Sequence, residues 1–356
     1  MPLRRPEALI DERVHALRSF HESAGLERAQ LDVSGGIDSA VMLALLAHAL
    51  VPSKITAVHT RIDTDPSASA RAHEVAESLD VRLLDLDLGP LHARLLDELR
   101  DALVPDARER TLLEERVSND PTIVGSLRST LRAPVGRALN RLAGNGVRHG
   151  TGNECEDRWT RFFQKGGDGE VDTNPLGMLS KGEVYQLAVA LELPRSVIVA
   201  APSPDLWGRD HVHSDEDELE RYLGLDPGPH CFYSAVDPED GSYRRVGLIE
   251  RLSRFLDEPF VLGDDGGKTI GDRLFGGPGT PTEMGTLLAR ARESAALGTL
   301  DEGLRDALVL TAREVERRTR HKVNPACPQL GSRRELHRLG GLLDDHLPEP
   351  CSTRSA

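Results

Sequence analysis

Apolar residues recur at helical spacing between residues 7 and 21, at Leu9, Ile10, Val14, Leu17 and Phe20, so an amphipathic helix is expected to open the chain. A short apolar run at 29–33 predicts a strand. Residues 41–50 are almost wholly apolar, as in a helix packed on a sheet, and 54–60 return to a short strand pattern. Asp65-Pro66 predicts the next helix start: Pro66 suits the first turn, Asp65 can cap it, and Val75, Ala76 and Leu79 form its apolar face. A third strand is expected at 81–86 and a helix at 90–103. Residues 107–118 are charged and read as loop or exposed helix. Residues 122–142 form an arginine-studded helical region interrupted at Pro134, and a further strand is expected near Val147.

Strands and helices alternating at these intervals predict an α/β protein with a doubly wound parallel sheet. Ligands of such sheets bind beyond the carboxyl ends of the strands, where the strand order reverses. After residue 223 the texture changes to Gly/Pro/Asp-rich stretches at 224–229, 237–241 and 263–267, with helical periodicity returning at 285–296 and 304–318. The expected organisation is a catalytic domain over 1–223, an irregular or helical insertion over 224–310 on the substrate side, and a C-terminal helix and tail over 311–356.

Composition narrows the partners. The formal charge of -14 opposes extended contact with nucleic acid, which requires a dominant basic surface. The first twenty residues mix arginines with Glu7, Asp11 and Glu12 and hold no apolar stretch of signal-peptide length, so neither secretion nor membrane anchoring is expected. Cys155, Cys231, Cys327 and Cys351 lie far apart without a Cys-x-x-Cys pair. That argues against a zinc site or disulfide framework and for reduced thiols in the cytoplasm.

The chemistry begins where the first strand ends. In Ser34-Gly35-Gly36-Ile37-Asp38-Ser39, two glycines allow a tight turn and close backbone approach, and the following helix would aim its unpaired N–H groups at an anion. Ser34 and Ser39 add hydroxyls, and Asp38 adds a carboxylate able to hold Mg2+ against phosphate oxygens. The order is neither a Walker loop nor Gly-x-Gly-x-x-Gly. It resembles the pyrophosphate loop of ATP pyrophosphatases, which split ATP between its alpha and beta phosphates.

Further motifs follow in order: Gly150-Thr151-Gly152-Asn153-Glu154-Cys155-Glu156, then Phe162-Phe163-Gln164-Lys165-Gly166-Gly167-Asp168-Gly169, then Asp172-Thr173-Asn174-Pro175 leading to Leu179-Ser180-Lys181. Pro202-Ser203-Pro204-Asp205-Leu206, the acidic run from Asp215 to Leu219, and His321-Lys322 with Pro325 continue the series. The set resembles the ammonia-dependent NAD synthetase family. The resemblance implies the adenine nucleotide alpha-hydrolase-like fold, with ATP as co-substrate and Mg2+ as metal. A carboxylate, deamido-NAD, would be adenylated, and ammonia would then displace AMP to give NAD.

By the same resemblance, Ser34, Gly35, Gly36 and Ser39 would cradle the pyrophosphate. Asp38 and Glu156 would ligate Mg2+, Thr151 and Ser203 would contact ATP, and Lys181 would bind phosphate. Asp168 would bind or deprotonate ammonium, with burial tuning its carboxyl. Arg128, Arg132, Asp172, His321 and Lys322 would face the acceptor. Lys181 also has a plainer reading, because Ser180-x-x-Glu183 is a capping box that would make it an exposed first-turn residue. The family implies a homodimer. The phosphate loop lies close to the N-terminus with no cysteine-hydrolase segment before it, so free ammonia or a separate ammonia-supplying glutaminase is expected.

Departures fall on the acceptor side. Gly125-Ser126-Leu127-Arg128-Ser129-Thr130-Leu131-Arg132 has Thr130 where the family carries arginine, and Val323 replaces a basic residue after His321-Lys322. Arg128 and Arg132 share a helix face, as a displaced phosphate clamp or as a solvated basic stripe. Two rivals therefore stand beside NAD synthesis: a related adenylating ligase for another carboxylate, and a nucleotide-binding protein without turnover.

Overall fold

The structure, a computed structural model, describes residues 5–103, 106–120, 122–157, 164–200, 215–225, 236–244, 246–260, 267–271, 281–319 and 322. Helix α1 (Pro6–Ala24) precedes β1 (Ala29–Asp32), α2 (Ile37–Ala49), β2 (Ile55–Arg61), α3 (Pro66–Ser78) and β3 (Leu83–Asp87). Helices α4 (Gly89–Leu103), α5 (Ala107–Asn119) and α6 (Thr122–Leu142) then lead to β4 (Val147–His149). Beyond it come α7 (Lys181–Ala190), α8 (Arg195–Ile198), α9 (Asp215–Tyr222), α10 (Leu248–Asp257), α11 (Pro281–Glu293) and α12 (Glu302–Thr319).

The four strands are parallel in the order β3-β2-β1-β4, with Ala29 opposite both Ile55 and Val147. The order reverses between β1 and β4, so the loops leaving these two strands flank the crevice where such sheets bind ligands. This is the doubly wound parallel architecture expected. Its two faces differ. Ala29, Leu31 and Val33 join the core formed with α1, α2, α3 and α7, whereas Gln30 and Asp32 share the opposite face with Thr56 and Arg148. There the buried Arg148 donates through Nη2 to Asp32 Oδ2 at 2.6 Å and through Nη1 to the Glu170 carbonyl at 2.6 Å. Gly136 of α6 makes room for it, since a Cβ at that position would lie 2.9 Å from Nη2.

Through residues 41–46 helix α2 is apolar on all sides because that stretch is covered on all sides. Val41 through Leu46 are completely buried, each large side chain contributing on the order of 2 kcal/mol. Asp65 caps α3 as expected, accepting from Ser67 N at 2.6 Å. The charged 107–118 stretch is helical, within α5.

Helix α6 is not interrupted at Pro134. The proline forfeits one bond, to the Thr130 carbonyl, at about 3 kcal/mol. Contacts on both sides hold the helix in register: Arg128 to Asp63, Ser129 to Asp168, and Asn140 to both backbone groups of Gly146. The region after 223 is helical among the described residues and has a second core. Leu248, Ile249, Leu252, Phe255 and Leu256 of α10 pack with Leu287, Ala291, Leu308, Val309 and Cys155. The Gly/Pro-rich stretches flank α10 and do not enter it.

A buried histidine pair ties α1 to the sheet. His21 Nδ1 donates to the Leu26 carbonyl at 2.7 Å, and its Nε2 lies 3.0 Å from His149 Nε2. Burial and the neighbouring His21 push His149 down to about 3. An unfolded histidine titrates near 6.5, so between these values the unfolded chain binds the extra proton and stability falls as pH falls. Chemical denaturation should therefore show stability about 2 kcal/mol lower at pH 5 than at pH 7 from this group. The His149→Asn variant should lose that difference; an unchanged pH dependence would rule out His149 as its source.

Candidate active site

Strand β1 ends at the 34–39 glycine loop, whose backbone is fixed from below and from the side. His59 Nδ1 donates to the Val33 carbonyl at 2.7 Å, and Arg71 Nε donates to the Gly35 carbonyl at 3.0 Å. Gly35 has φ +85°, and a Cβ there would fall 2.0 Å from the Ala68 carbonyl oxygen, so this turn admits only glycine. Ser39 is buried. Its hydroxyl donates to the Gly36 carbonyl at 2.9 Å and lies 3.2 Å from the exposed Ser34 hydroxyl. Gly36 caps α2 without a side-chain acceptor, leaving the first-turn N–H groups of a largely buried helix without a side-chain cap at the strand tip.

The loop after β4 brings the acidic residues. Asn153, completely buried, donates from Nδ2 to Asp38 Oδ1 at 3.0 Å and accepts from Glu156 N at 3.2 Å, locking the two loops together. Lys181, at the first position of α7, closes the arrangement. Its Nζ lies 2.5 Å from Asp38 Oδ2 and 2.8 Å from Glu156 Oε1. Three residues drawn from three distant motifs therefore meet at one point.

The plain reading of Lys181 is half right. Ser180 and Glu183 do form the reciprocal capping box, yet Lys181 is only 9% exposed and points into the site. Burial lifts the Glu156 carboxyl above its ordinary range, with the Lys181 ammonium opposing the shift and Asp38 adding to it. Asp157, beside it, is raised to about 7 by burial and by Glu156, Asp168 and Asp38, while Asn174 Nδ2 donates to its Oδ2.

The donor set suits Mg2+. Two hard carboxylate oxygens already converge on a single positive centre, which is what a metal keeping several waters and borrowing phosphate oxygens requires from protein. Among the described residues no group of three or more His, Cys, Asp or Glu side chains is placed to hold a metal ion alone.

The remaining expected residues are spread around this centre. Thr151 is half-buried in the loop after β4. Asp168 is exposed and not buried as expected. Its Oδ1 accepts from Ser129 Oγ and from Gln164 N, each at 2.7 Å. Asp172 is committed elsewhere: it accepts from Arg148 N and from Arg137 Nη1, each at 2.8 Å, and despite its desolvation these bonds hold it below the usual carboxylate range.

Arg128 is no solvated stripe. It is 8% exposed, its Nη2 donates to Asp63 Oδ2 at 3.2 Å, and its Nε and Nη1 have no partner among the described residues. Arg132 is half-buried one turn on. Lys322 is half-buried, and Ser203 and His321 fall outside the described residues. Sequence reading did not select Asn153, Ser129, Arg71 or Asp157 as site residues. Asn153 alone carried a signal, as the last residue of the Gly-Thr-Gly-Asn motif.

A parallel sheet with a glycine-rich loop and a carboxylate-lysine cluster at its switch point is the architecture of a nucleotide-binding α/β protein. Residues 9–237 match the family described as NAD synthase, well over half of the chain. The chain is 30% identical over 249 residues to the NH(3)-dependent NAD(+) synthetase of Hyperthermus butylicus, covering 68% of this chain and 81% of that protein. It is 32% identical over 213 residues to the Halobacterium salinarum protein of the same name, covering 58% and 73%. Among solved structures it is similar to NMN synthetase from Francisella tularensis, with TM-score 0.60, 21% identity, and coverage of 92% of this chain and 99% of that one. The chain belongs to the NAD synthase family and is an ATP-using ligase that forms a carbon–nitrogen bond.

Proposed function

We propose that this chain condenses deamido-NAD with ammonia, cleaving ATP to AMP and pyrophosphate and releasing NAD. The observation that carries this reading is the meeting of Asp38, Glu156 and Lys181 beside the uncapped N-terminus of α2. Ser34, Gly35, Gly36 and Ser39 receive the beta and gamma phosphates at the loop, Lys181 turns its ammonium to them, and Thr151 and Ser203 complete the nucleotide contacts. Asp38 and Glu156 hold Mg2+, which when bound neutralises phosphate charge.

A carboxylate does not exchange its oxygen for ammonia unaided, because oxide is a poor leaving group. Attack of the acceptor carboxylate on the alpha phosphorus forms one P–O bond and breaks another, and pyrophosphate departs into donors already in place. Ammonia then attacks the acyl carbon, the bond to AMP breaks, and Asp168, steadied by Ser129, accepts a proton from the nitrogen. Arg128 and Arg132 face the acceptor, and His321 and Lys322 are assigned to it with them. The enzyme works as a cytoplasmic homodimer on free ammonia or ammonia from a separate glutaminase, in keeping with relatives named as NH(3)-dependent. Among the described residues no helix is long and apolar enough to cross a membrane.

A second acceptor is favoured by one observation. The likeness to NMN synthetase spans 92% of this chain and so takes in helices beyond residue 237, where the family match ends. The deamido form of NMN carries the same carboxylate on a shorter nucleotide. Pyrophosphate release and amide formation should be measured with ATP, Mg2+ and ammonium on both acceptors. We expect deamido-NAD to be favoured at least tenfold in kcat/KM. The reverse preference would reassign the acceptor, and ATP binding without turnover on either would overturn the reaction.

A further inference from the structure

The helical bundle after residue 223 lies mostly outside the family match, yet it reaches the catalytic lysine by two routes. The first runs through Tyr243. Its ring packs against the core of the sheet, while its hydroxyl donates to Glu250 Oε1 of α10 at 3.0 Å and lies 3.4 Å from Ser180 Oγ, the cap of α7. The donor pattern is consistent along the chain of groups: Ser180 donates to Tyr243, Tyr243 donates to Glu250, and Ser180 Oγ accepts from Glu183 N at 3.3 Å. Glu250 is 1% exposed and is also paired with Arg254, so it is a fixed anchor within the second core.

Gly182 shows how closely this contact is built. A Cβ at that position would stand 2.1 Å from the Tyr243 hydroxyl, so the first turn of α7 carries glycine where the tyrosine presses on it. The second route is Cys155, a member of the second core, whose Sγ accepts from Lys181 N at 3.5 Å. The backbone of Lys181 is thus held between the two cores, with its side chain extended toward Asp38 and Glu156.

We propose that Tyr243 is a positioning residue of the adenylation site: its hydroxyl fixes the first turn of α7, and through it the Lys181 ammonium, so that the C-terminal bundle braces ATP cleavage. This rests on the reading of Lys181 as the phosphate-binding lysine. The phosphate charge that Lys181 meets develops as pyrophosphate leaves, and a displacement of the ammonium by even 1 Å weakens that stabilisation steeply.

The test is a double-mutant cycle of Tyr243→Phe and Lys181→Ala in the full chain, read as affinity for an ATP analogue with a non-cleavable alpha-beta bridge. Hydrogen exchange of the amides of residues 181–184 is followed in parallel. Tyr243→Phe keeps the ring and leaves Glu250 paired with Arg254, so the fold is retained. We expect it to weaken analogue binding about fivefold in the wild-type background and not at all in the Lys181→Ala background, with a fall in kcat for amide formation and an unchanged KM for ammonia. Exchange at 181–184 should quicken while the amides of β1 stay unchanged.

Equal losses in both backgrounds would show that Tyr243 acts on stability and not through Lys181, and would overturn the proposal. Unchanged exchange at 181–184 would overturn it as well. If the analogue bound neither wild type nor variant, the reading of Lys181 would fail, while the exchange measurement would still decide whether Tyr243 holds α7.

Discussion

Replacing Lys181 with alanine should lower the rate of amide formation at saturating ATP by about 10³-fold, the scale expected when one preorganised charge is taken from a departing oxyanion. The same substitution should also destabilise the folded protein. Asp38 Oδ2 and Glu156 Oε1 are held 2.5 and 2.8 Å from a single Nζ, and without it two carboxylates face each other in a half-closed site. Breaking a buried pair from one side costs about 3–5 kcal/mol, and partial solvent access at Asp38 and Glu156 reduces that toward about 2. Stopped assays of AMP and amide give the first number and urea denaturation the second. Lys181→Met, which keeps the aliphatic stem, should match alanine in rate. A rate within tenfold of wild type in either variant would remove Lys181 from the chemistry.

These outcomes hang on contacts that no single stretch of sequence displays. The loop from Ser34 to Ser39 was legible because glycine pairs, hydroxyls and an acidic residue between a strand and a helix have few other uses. The ordered motifs named Glu156 and Lys181 through a family pattern. Their meeting at one atom, across 143 residues in the case of Asp38 and Lys181, is a product of strand order alone. Ser129 illustrates the limit. It is an ordinary serine on a helix, and only the docking of α6 against the 164–169 turn brings its hydroxyl to Asp168.

Local rules also competed with tertiary ones. Pro134 signalled a break that contacts on both sides of it outweigh, and the Lys181 capping box suggested an exposed side chain although helix entry and burial are compatible. Helix α10 escaped notice because its clear apolar spacing, Leu248, Ile249, Leu252, Phe255 and Leu256, sits between glycine-rich segments that dominate the local texture.

Asp38→Ala should abolish adenylation as completely as Lys181→Ala, again by about 10³-fold or more, but at a smaller cost to the fold. Removing Asp38 leaves Lys181 paired with Glu156 at 2.8 Å, so no charge is stranded. The cost is confined to an acidic residue in the first turn of α2 and the bond from Asn153 Nδ2, together about 1–2 kcal/mol. Thermal melting should therefore shift by only a few degrees, and the circular dichroism spectrum should match wild type. Combining the two substitutions sharpens the point. In Asp38→Ala with Lys181→Ala, Glu156 no longer faces Asp38, so the double variant should be more stable than Lys181→Ala alone while remaining inactive. Full pyrophosphate release by Asp38→Ala would eliminate its proposed role at the metal and phosphates. A double variant less stable than Lys181→Ala alone would show that the Asp38–Glu156 repulsion is not what the lysine relieves.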